Sequence, residues 1–170
     1  MLPAASYLHA TFPQVRARPL IRLVFAGLVL AATAPARAWD ETKVDLRLSL
    51  STDVFRAPGT TAVAARYGGS WGVTLGTWVR NVKVTPAPDV LAGAGYVWTR
   101  AKWRVGAGVA WINEENDLNG TRWNFNASVA YRWADRIFLE YQHYSHGAIL
   151  GIKSDAPNGG WNLLGVGVAF

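Results

Sequence analysis

The sequence contains no cysteine among its 170 residues, so its fold has to hold without disulfides. It also contains no phosphate-binding loop, no zinc-ligand pattern and no cofactor motif. We therefore expect neither a cofactor nor a bound metal. One segment carries three acids, Glu114, Glu115 and Asp117. Because their spacing is not that of regular cation ligands, a solvated acidic loop is a better interpretation than a divalent-cation site.

Hydrophobic runs long enough for a transmembrane helix are also missing. Residues 23–32 form an apolar run of ten residues, whereas a membrane-spanning helix needs about 20. The run follows three arginines and leads to the sequence Ala-Arg-Ala at positions 36–38. A basic start, a short apolar centre and an A-x-A exit predict a secretory signal peptide over residues 1–38. An N-terminal membrane anchor is the alternative.

Acidic residues are absent from this predicted signal peptide, which holds four arginines. The formal net charge of +6 therefore falls to +2 over residues 39–170, with 13 basic and 11 acidic residues. Such a balance gives no evidence for a nucleic-acid partner. Residues 39–170 are enough for one modest domain.

Short segments of alternating polarity fill this domain. Successive residues of a strand point to opposite faces, so a period of two can be read directly from the sequence. From Trp123 to Trp133 every odd position is apolar or aromatic, whereas most even positions are Asn, Ser or Arg. Similar segments lie near residues 44–50, 71–79, 103–111 and 164–170, and two weaker ones lie near residues 61–67 and 90–99. With the segment at residues 137–145 the count is eight.

The polar faces of these segments carry Arg, Asn, Ser and many glycines, which suits a narrow lumen, and aromatic residues cluster at the segment ends. Alternation over roughly ten residues with aromatic ends is typical of outer-membrane β-barrels. Closure of the barrel also removes the unpaired strand edges that lipid does not tolerate. We therefore predict an all-β fold, an eight-stranded antiparallel transmembrane barrel over residues 39–170. A soluble lipocalin-like barrel is the alternative.

The joints between the segments predict the orientation of the barrel. Tight joints at residues 68–69, 99–102 and 133–136 alternate with longer ones near residues 52–60, 80–89, 113–121 and 147–158. Short periplasmic turns and longer outside loops alternate in this way in such barrels. Both termini are then expected in the periplasm.

The seventh segment contains His143 and Ser145, two residues apart. They share the odd face with the apolar residues at 137 and 139, so we expect both to face lipid near the outer end of the barrel. A neighbouring histidine can take the proton of a serine hydroxyl and make it a nucleophile. Glu140 has the opposite parity and is expected in the lumen. The alternative is that His143 and Ser145 are interfacial residues near lipid headgroups.

The surrounding residues resemble the C-terminal motif of the lipid A 3-O-deacylase (PagL) family. That motif is roughly H-x-S-N-A-G, a short loop, P-N-x-G, and then an acidic residue that enters the last strand. The matching positions here lie in residues 143–149 and 157–160. The resemblance implies an outer-membrane enzyme, a serine carboxylic-ester hydrolase that cleaves an ester-linked 3-hydroxyacyl chain from lipid A.

The resemblance also implies a role for individual residues. Ser145 is the expected nucleophile, and His143 is the expected general base and later acid. Asn158 and the backbone amides near His146 and Gly147 are the expected donors to the oxyanion.

Two positions depart from the family motif. His146 stands where the family has asparagine, and the family's acid falls at Asn162 or Trp161. Asn162 has the outward parity, so we expect it to accept a hydrogen bond from His143 and fix its tautomer without supplying charge. Asp155, in the preceding loop, is the other candidate for the acid.

Two functions are therefore predicted as alternatives. The first is the enzyme, exported to the outer membrane, with lipopolysaccharide or lipid A of the outer leaflet as its partner and a homodimer as one option for its assembly. The second is a non-enzymatic small barrel, structural or adhesive, derived from that family. Asn162 in place of a carboxylate is the feature that separates them.

Overall fold

A computed structural model describes residues 43–53, 59–80, 88–146 and 159–170. The predicted signal peptide lies outside these residues. The described chain forms eight strands: β1 (Val44–Ser51), β2 (Thr61–Gly68), β3 (Trp71–Arg80), β4 (Val90–Arg100), β5 (Trp103–Ile112), β6 (Trp123–Arg132), β7 (Ile137–His146) and β8 (Trp161–Ala169). In these residues no helix is long and apolar enough to cross a membrane.

The strands form one closed barrel in chain order. Each strand pairs antiparallel with the next, and β1 pairs antiparallel with β8. The predicted fold, an eight-stranded antiparallel barrel, is confirmed. Strand β8 begins at Trp161, three residues earlier than the alternation beginning at Leu164 indicates. The difference matters because the added residues include Asn162.

Burial alternates along much of the barrel as the period of two predicts, although β7 and β8 each end on three consecutive buried residues. In β3 the side chains of Trp71, Val73 and Leu75 are exposed, whereas Trp78, of the opposite parity, is buried. In β1 the three polar residues Asp45, Arg47 and Ser49 are buried, and Leu50 is exposed. The apolar face is thus the outer one, as expected for a barrel in lipid rather than a soluble barrel with an apolar core.

The two ends of the barrel differ in their connections. Residues 69–70, 101–102 and 133–136 form short turns at one end. The described chain ends meet there as well, since Lys43 N donates to Phe170 O over 2.9 Å and Phe170 N donates to Val44 O over 2.8 Å. The longer connections lie at the other end, as the joint lengths predict. His143 and Ser145 are near this long-loop end because they precede the connection from β7 to β8, and Asn162 is near it because it follows that connection.

Ion pairs and side-chain hydrogen bonds fill the interior. Arg47 pairs with Glu140 over 3.1 Å, and Arg104 pairs with Asp45 over 2.8 Å. Gln142 Nε2 donates to Glu140 Oε2 over 2.9 Å. Buried charges are tolerated when they are paired, so these contacts account for those four charged side chains inside the barrel.

Candidate active site

The outward face of β7 carries the predicted nucleophile and base. Leu139 and Tyr141 on this face are 41% and 39% exposed, whereas Glu140 between them is 5% exposed. The same alternation places His143 and Ser145 on the outward face, as predicted. Glu140 faces the interior and pairs there with Arg47, so its predicted exclusion from the site agrees with its position.

Strand pairing brings Asn162 to His143. The two residues are register partners in β7 and β8, and directly opposed side chains on one face of an antiparallel pair have Cβ atoms about 4.5–5.5 Å apart. Asn162 Oδ1 lies 2.8 Å from His143 Nδ1. Because an amide oxygen only accepts hydrogen bonds, His143 donates from Nδ1, and in the neutral imidazole Nε2 is then the nitrogen that can accept a proton. Trp161, the other predicted position for the acid, is fully buried on the opposite parity.

A third side chain joins this pair. The hydroxyl of Tyr141 donates to Asn162 Oδ1 over 2.6 Å, so one amide oxygen contacts both Tyr141 and His143. The sequence interpretation did not include Tyr141 in the site. Its parity places it on the same face as His143, two residues away, but alternation alone gives it only a lipid-facing position.

Gly160 packs against the imidazole of His143. Its φ of +67° lies in the left-handed region that favours glycine. A Cβ built on Gly160 would lie 2.6 Å from His143 Cε1 and 3.3 Å from Nδ1. The motif position P-N-x-G thus needs glycine both for its backbone conformation and for the space that the ring occupies.

The connection between β5 and β6 supports the start of β8. Gly160 N donates to Leu118 O over 2.7 Å, and Gly159 N donates to Asp117 O over 3.2 Å. The indole Nε1 of Trp161 donates to Asn119 Oδ1 over 3.3 Å. Residues 113–122 therefore help to place the segment that carries Asn162, a role that sequence periodicity does not indicate.

Ser145 is on the outward face but is only 7% exposed, which differs from the predicted lipid-exposed position. Among the described side chains, no hydrogen bond joins its hydroxyl to His143. The structure thus brings His143, Asn162 and Tyr141 into direct contact and places Ser145 two residues along the same face.

Several predicted site residues lie outside the described residues, namely Gly147, Asp155 and Asn158. The side chain of His146 is buried in the interior, and neither of its ring nitrogens has a hydrogen-bond partner among the residues that the structure describes. Its predicted role concerns the backbone amide and stays a prediction. Within the described ranges, no group of three or more His, Asp or Glu side chains is placed to hold a metal ion.

The family model described as lipid A 3-O-deacylase (PagL) matches residues 42–170, which is most of the chain and the whole of the described barrel. The chain belongs to the lipid A 3-O-deacylase (PagL) family. The resemblance seen in the sequence is thereby confirmed.

A solved structure described as "De novo design of transmembrane beta-barrels" is similar at 14% identity and a TM-score of 0.41, covering 80% of this chain and 100% of that one. A search of curated proteins finds no significant match.

Membership of this family indicates a general function and a cellular location. The PagL family comprises hydrolases that act on lipid A, and with the barrel fold it points to the outer membrane. The predicted homodimer receives no support from the comparisons.

Proposed function

We propose that this protein hydrolyses an ester-linked 3-hydroxyacyl chain of lipid A, with Ser145 as the nucleophile and His143 as the general base. The observation that carries the proposal is the 2.8 Å contact between His143 Nδ1 and Asn162 Oδ1 on the outward face of the barrel. A base that is held by a third residue is one half of the arrangement that serine ester hydrolysis uses, and Ser145 lies two residues along the same strand face.

The tautomer of His143 links this contact to the chemistry. With its proton on Nδ1, the imidazole can accept the hydroxyl proton of Ser145 at Nε2. The Ser145 oxygen then forms a bond to the ester carbonyl carbon. The bond to the sugar oxygen breaks, the imidazolium returns its proton to that oxygen, and an acyl-enzyme remains. Water, deprotonated by the same imidazole, releases the fatty acid and restores the serine.

The charge of the third residue distinguishes this chain from the family motif. Asn162 orients His143, but it is neutral and cannot stabilise an imidazolium by charge. Stabilisation of the oxyanion falls to the predicted donors, Asn158 and the backbone amides near His146 and Gly147. Slow turnover is therefore expected relative to an enzyme with a carboxylate at position 162.

Substrate reaches this site from the membrane. His143 and Ser145 are on the face that contacts lipid, so lateral diffusion can deliver lipid A without a deep cavity. Since Ser145 is 7% exposed, its hydroxyl has to gain exposure before an ester carbonyl can contact it.

Mass spectrometry of lipid A from cells that produce the protein tests the proposal. We expect the loss of one 3-hydroxyacyl chain with the natural sequence and no loss with Ser145→Ala. Ser70→Ala is the matched control, because Ser70 lies in the short turn after β2 at the opposite end of the barrel. Unchanged lipid A in cells whose outer membrane contains the folded natural barrel would overturn the proposal.

The alternative function, a non-enzymatic barrel derived from this family, has one specific observation in its favour. Asn162 stands at the position of the family's acid and contacts His143 directly. If the natural protein leaves lipid A unchanged and Asn162→Asp alone produces deacylation, this alternative is the better account.

A further inference from the structure

We propose that Tyr141 is a positioning residue that sets the tautomer of His143 by holding the amide of Asn162 in one orientation. This inference rests on the proposed function for its catalytic meaning. Its geometric basis is independent of that function, because the contacts among the three side chains exist whether or not the protein is an enzyme.

The geometry places one oxygen between two donors. Tyr141 OH donates to Asn162 Oδ1 over 2.6 Å, and His143 Nδ1 lies 2.8 Å from the same oxygen. Asn162 is opposite His143 in the register, and Tyr141 is opposite Leu164. The hydroxyl therefore reaches Asn162 diagonally across the β7–β8 pair, a distance that a long aromatic side chain spans.

Orientation matters for an amide in a way that it does not for a carboxylate. One end of the Asn162 side chain accepts hydrogen bonds and the other end donates them. With the oxygen toward His143, the imidazole carries its proton on Nδ1 and can accept at Nε2. With the NH₂ group toward His143, Nδ1 would accept and the proton would move to Nε2. That nitrogen could then no longer take the proton of Ser145.

Tyr141 favours the first orientation. The Tyr141 hydroxyl can donate its hydrogen bond to Asn162 only when the amide oxygen faces it. In the reverse orientation the phenol oxygen would accept from NH₂, and its own hydrogen would lose the acceptor that Asn162 Oδ1 provides. An unsatisfied polar hydrogen at a lipid-facing surface is costly. Tyr141 thus fixes the orientation of the Asn162 amide. A carboxylate has two equivalent oxygens and would not need such an orienting contact.

A double-substitution experiment on the purified barrel in detergent micelles tests this role. Tyr141→Phe should slow lipid A deacylation about tenfold, the factor that one hydrogen bond is worth. In the Asn162→Asp background the same substitution should slow it by less than about threefold, because either carboxylate oxygen can accept from His143. Tyr96→Phe is the matched control. Tyr96 is also on the outer face and is 43% exposed, against 39% for Tyr141.

Equal losses in both backgrounds would show that Tyr141 only packs, and no loss in the natural background would show that it has no role. Either result overturns the inference.

Nitrogen NMR of the imidazole separates this inference from the proposed function. With ¹⁵N-labelled histidine and His146→Gln to simplify the spectrum, we expect the Nδ1–H tautomer of His143 in the otherwise natural barrel. Tyr141→Phe should increase the Nε2–H form, and Tyr96→Phe should leave it unchanged. An inactive protein that shows this change would contradict the proposed function and support the positioning role. An unchanged tautomer in Tyr141→Phe would overturn the positioning role, whatever the activity.

Discussion

Asn162 and His143 are register partners in β8 and β7, and Asn162 Oδ1 lies 2.8 Å from His143 Nδ1. Their contact is a direct consequence of strand pairing. A shift of two residues in the β7–β8 register would keep both side chains on the outer face and still separate them.

Asn162→Asp should raise the rate of lipid A deacylation about tenfold. Aspartate has the same shape as asparagine, so its carboxylate can occupy the same position. A hydrogen bond to a charged acceptor is about twice as strong as a neutral one, and the charge also stabilises the imidazolium that forms during attack. Initial rates measured on purified lipid A in micelles check this. Asn162→Leu, whose side chain cannot accept a hydrogen bond from His143, should fall well below the natural rate. Equal rates for all three proteins would show that position 162 does not act on His143.

Gly160→Ala should abolish most of the activity while the barrel still folds. The new Cβ would lie 2.6 Å from His143 Cε1, and the ring cannot move away without breaking its contact with Asn162. A left-handed residue other than glycine also costs about 1–2 kcal/mol. Gly59→Ala is the matched control, because Gly59 has a similar φ of +65° and nothing within 4 Å of an added Cβ. Deacylation rates and thermal unfolding of both variants are the measurements. Equal losses of activity in Gly160→Ala and Gly59→Ala would show that backbone strain alone, and not the contact with His143, lowers the activity.

Alternation made the barrel and the faces of its residues predictable from sequence. From Val44 to Leu50 and from Trp71 to Val79, the odd or even position of a residue determines whether its side chain faces the lumen or the lipid. The same parity placed His143, Ser145 and Asn162 on one surface and placed Glu140 elsewhere.

Contacts between strands and loops could not be predicted in the same way. Parity does not set the register between β7 and β8, so the distance from Asn162 to His143 follows only from the folded barrel. The contact of Tyr141 with Asn162 depends on that register as well. The backbone bond from Gly160 to Leu118 joins two loops, and loop contacts leave no periodic signal in a sequence.

Glu140→Gln should lower stability without changing the chemistry. Arg47 lies 3.1 Å from Glu140 inside the barrel, and removing one charge of a buried pair leaves the other uncompensated at a cost of about 3 kcal/mol. The activity per folded barrel should stay unchanged, because Glu140 and His143 are on opposite faces of β7. Urea unfolding followed by tryptophan fluorescence measures the first effect.

Glu115→Gln is the control for the loss of charge. The pair of Glu115 with Arg122 is 3.8 Å long, and both side chains are more than half exposed, so we expect a change of at most about 0.5 kcal/mol. If folded Glu140→Gln loses activity, Glu140 becomes a candidate for the catalytic acid, contrary to the prediction.

Asn119→Ala should weaken catalysis from outside the site. Asn119 is fully buried. Its Nδ2 donates to Glu114 O and Thr121 O over 2.8 Å each, and its Oδ1 accepts from Trp161 Nε1. Losing these bonds should destabilise the barrel by about 3 kcal/mol, at about 1 kcal/mol for each bond. It should also loosen the backbone contacts that hold Gly160 beside His143, so we expect deacylation per folded barrel to fall about tenfold, in line with one weakened hydrogen bond at the base.

Asn113→Ala provides the comparison within the same connection. Asn113 Oδ1 accepts from Asp89 N and Val90 N over 2.9 Å each, so its loss removes hydrogen bonds that lead to β4 and not to β8. We expect a loss of stability of at most about 2 kcal/mol, at about 1 kcal/mol for each bond, with activity per folded barrel nearly retained. If both variants lose activity in proportion to their stability, residues 113–122 support the barrel in general and have no specific effect on the position of His143.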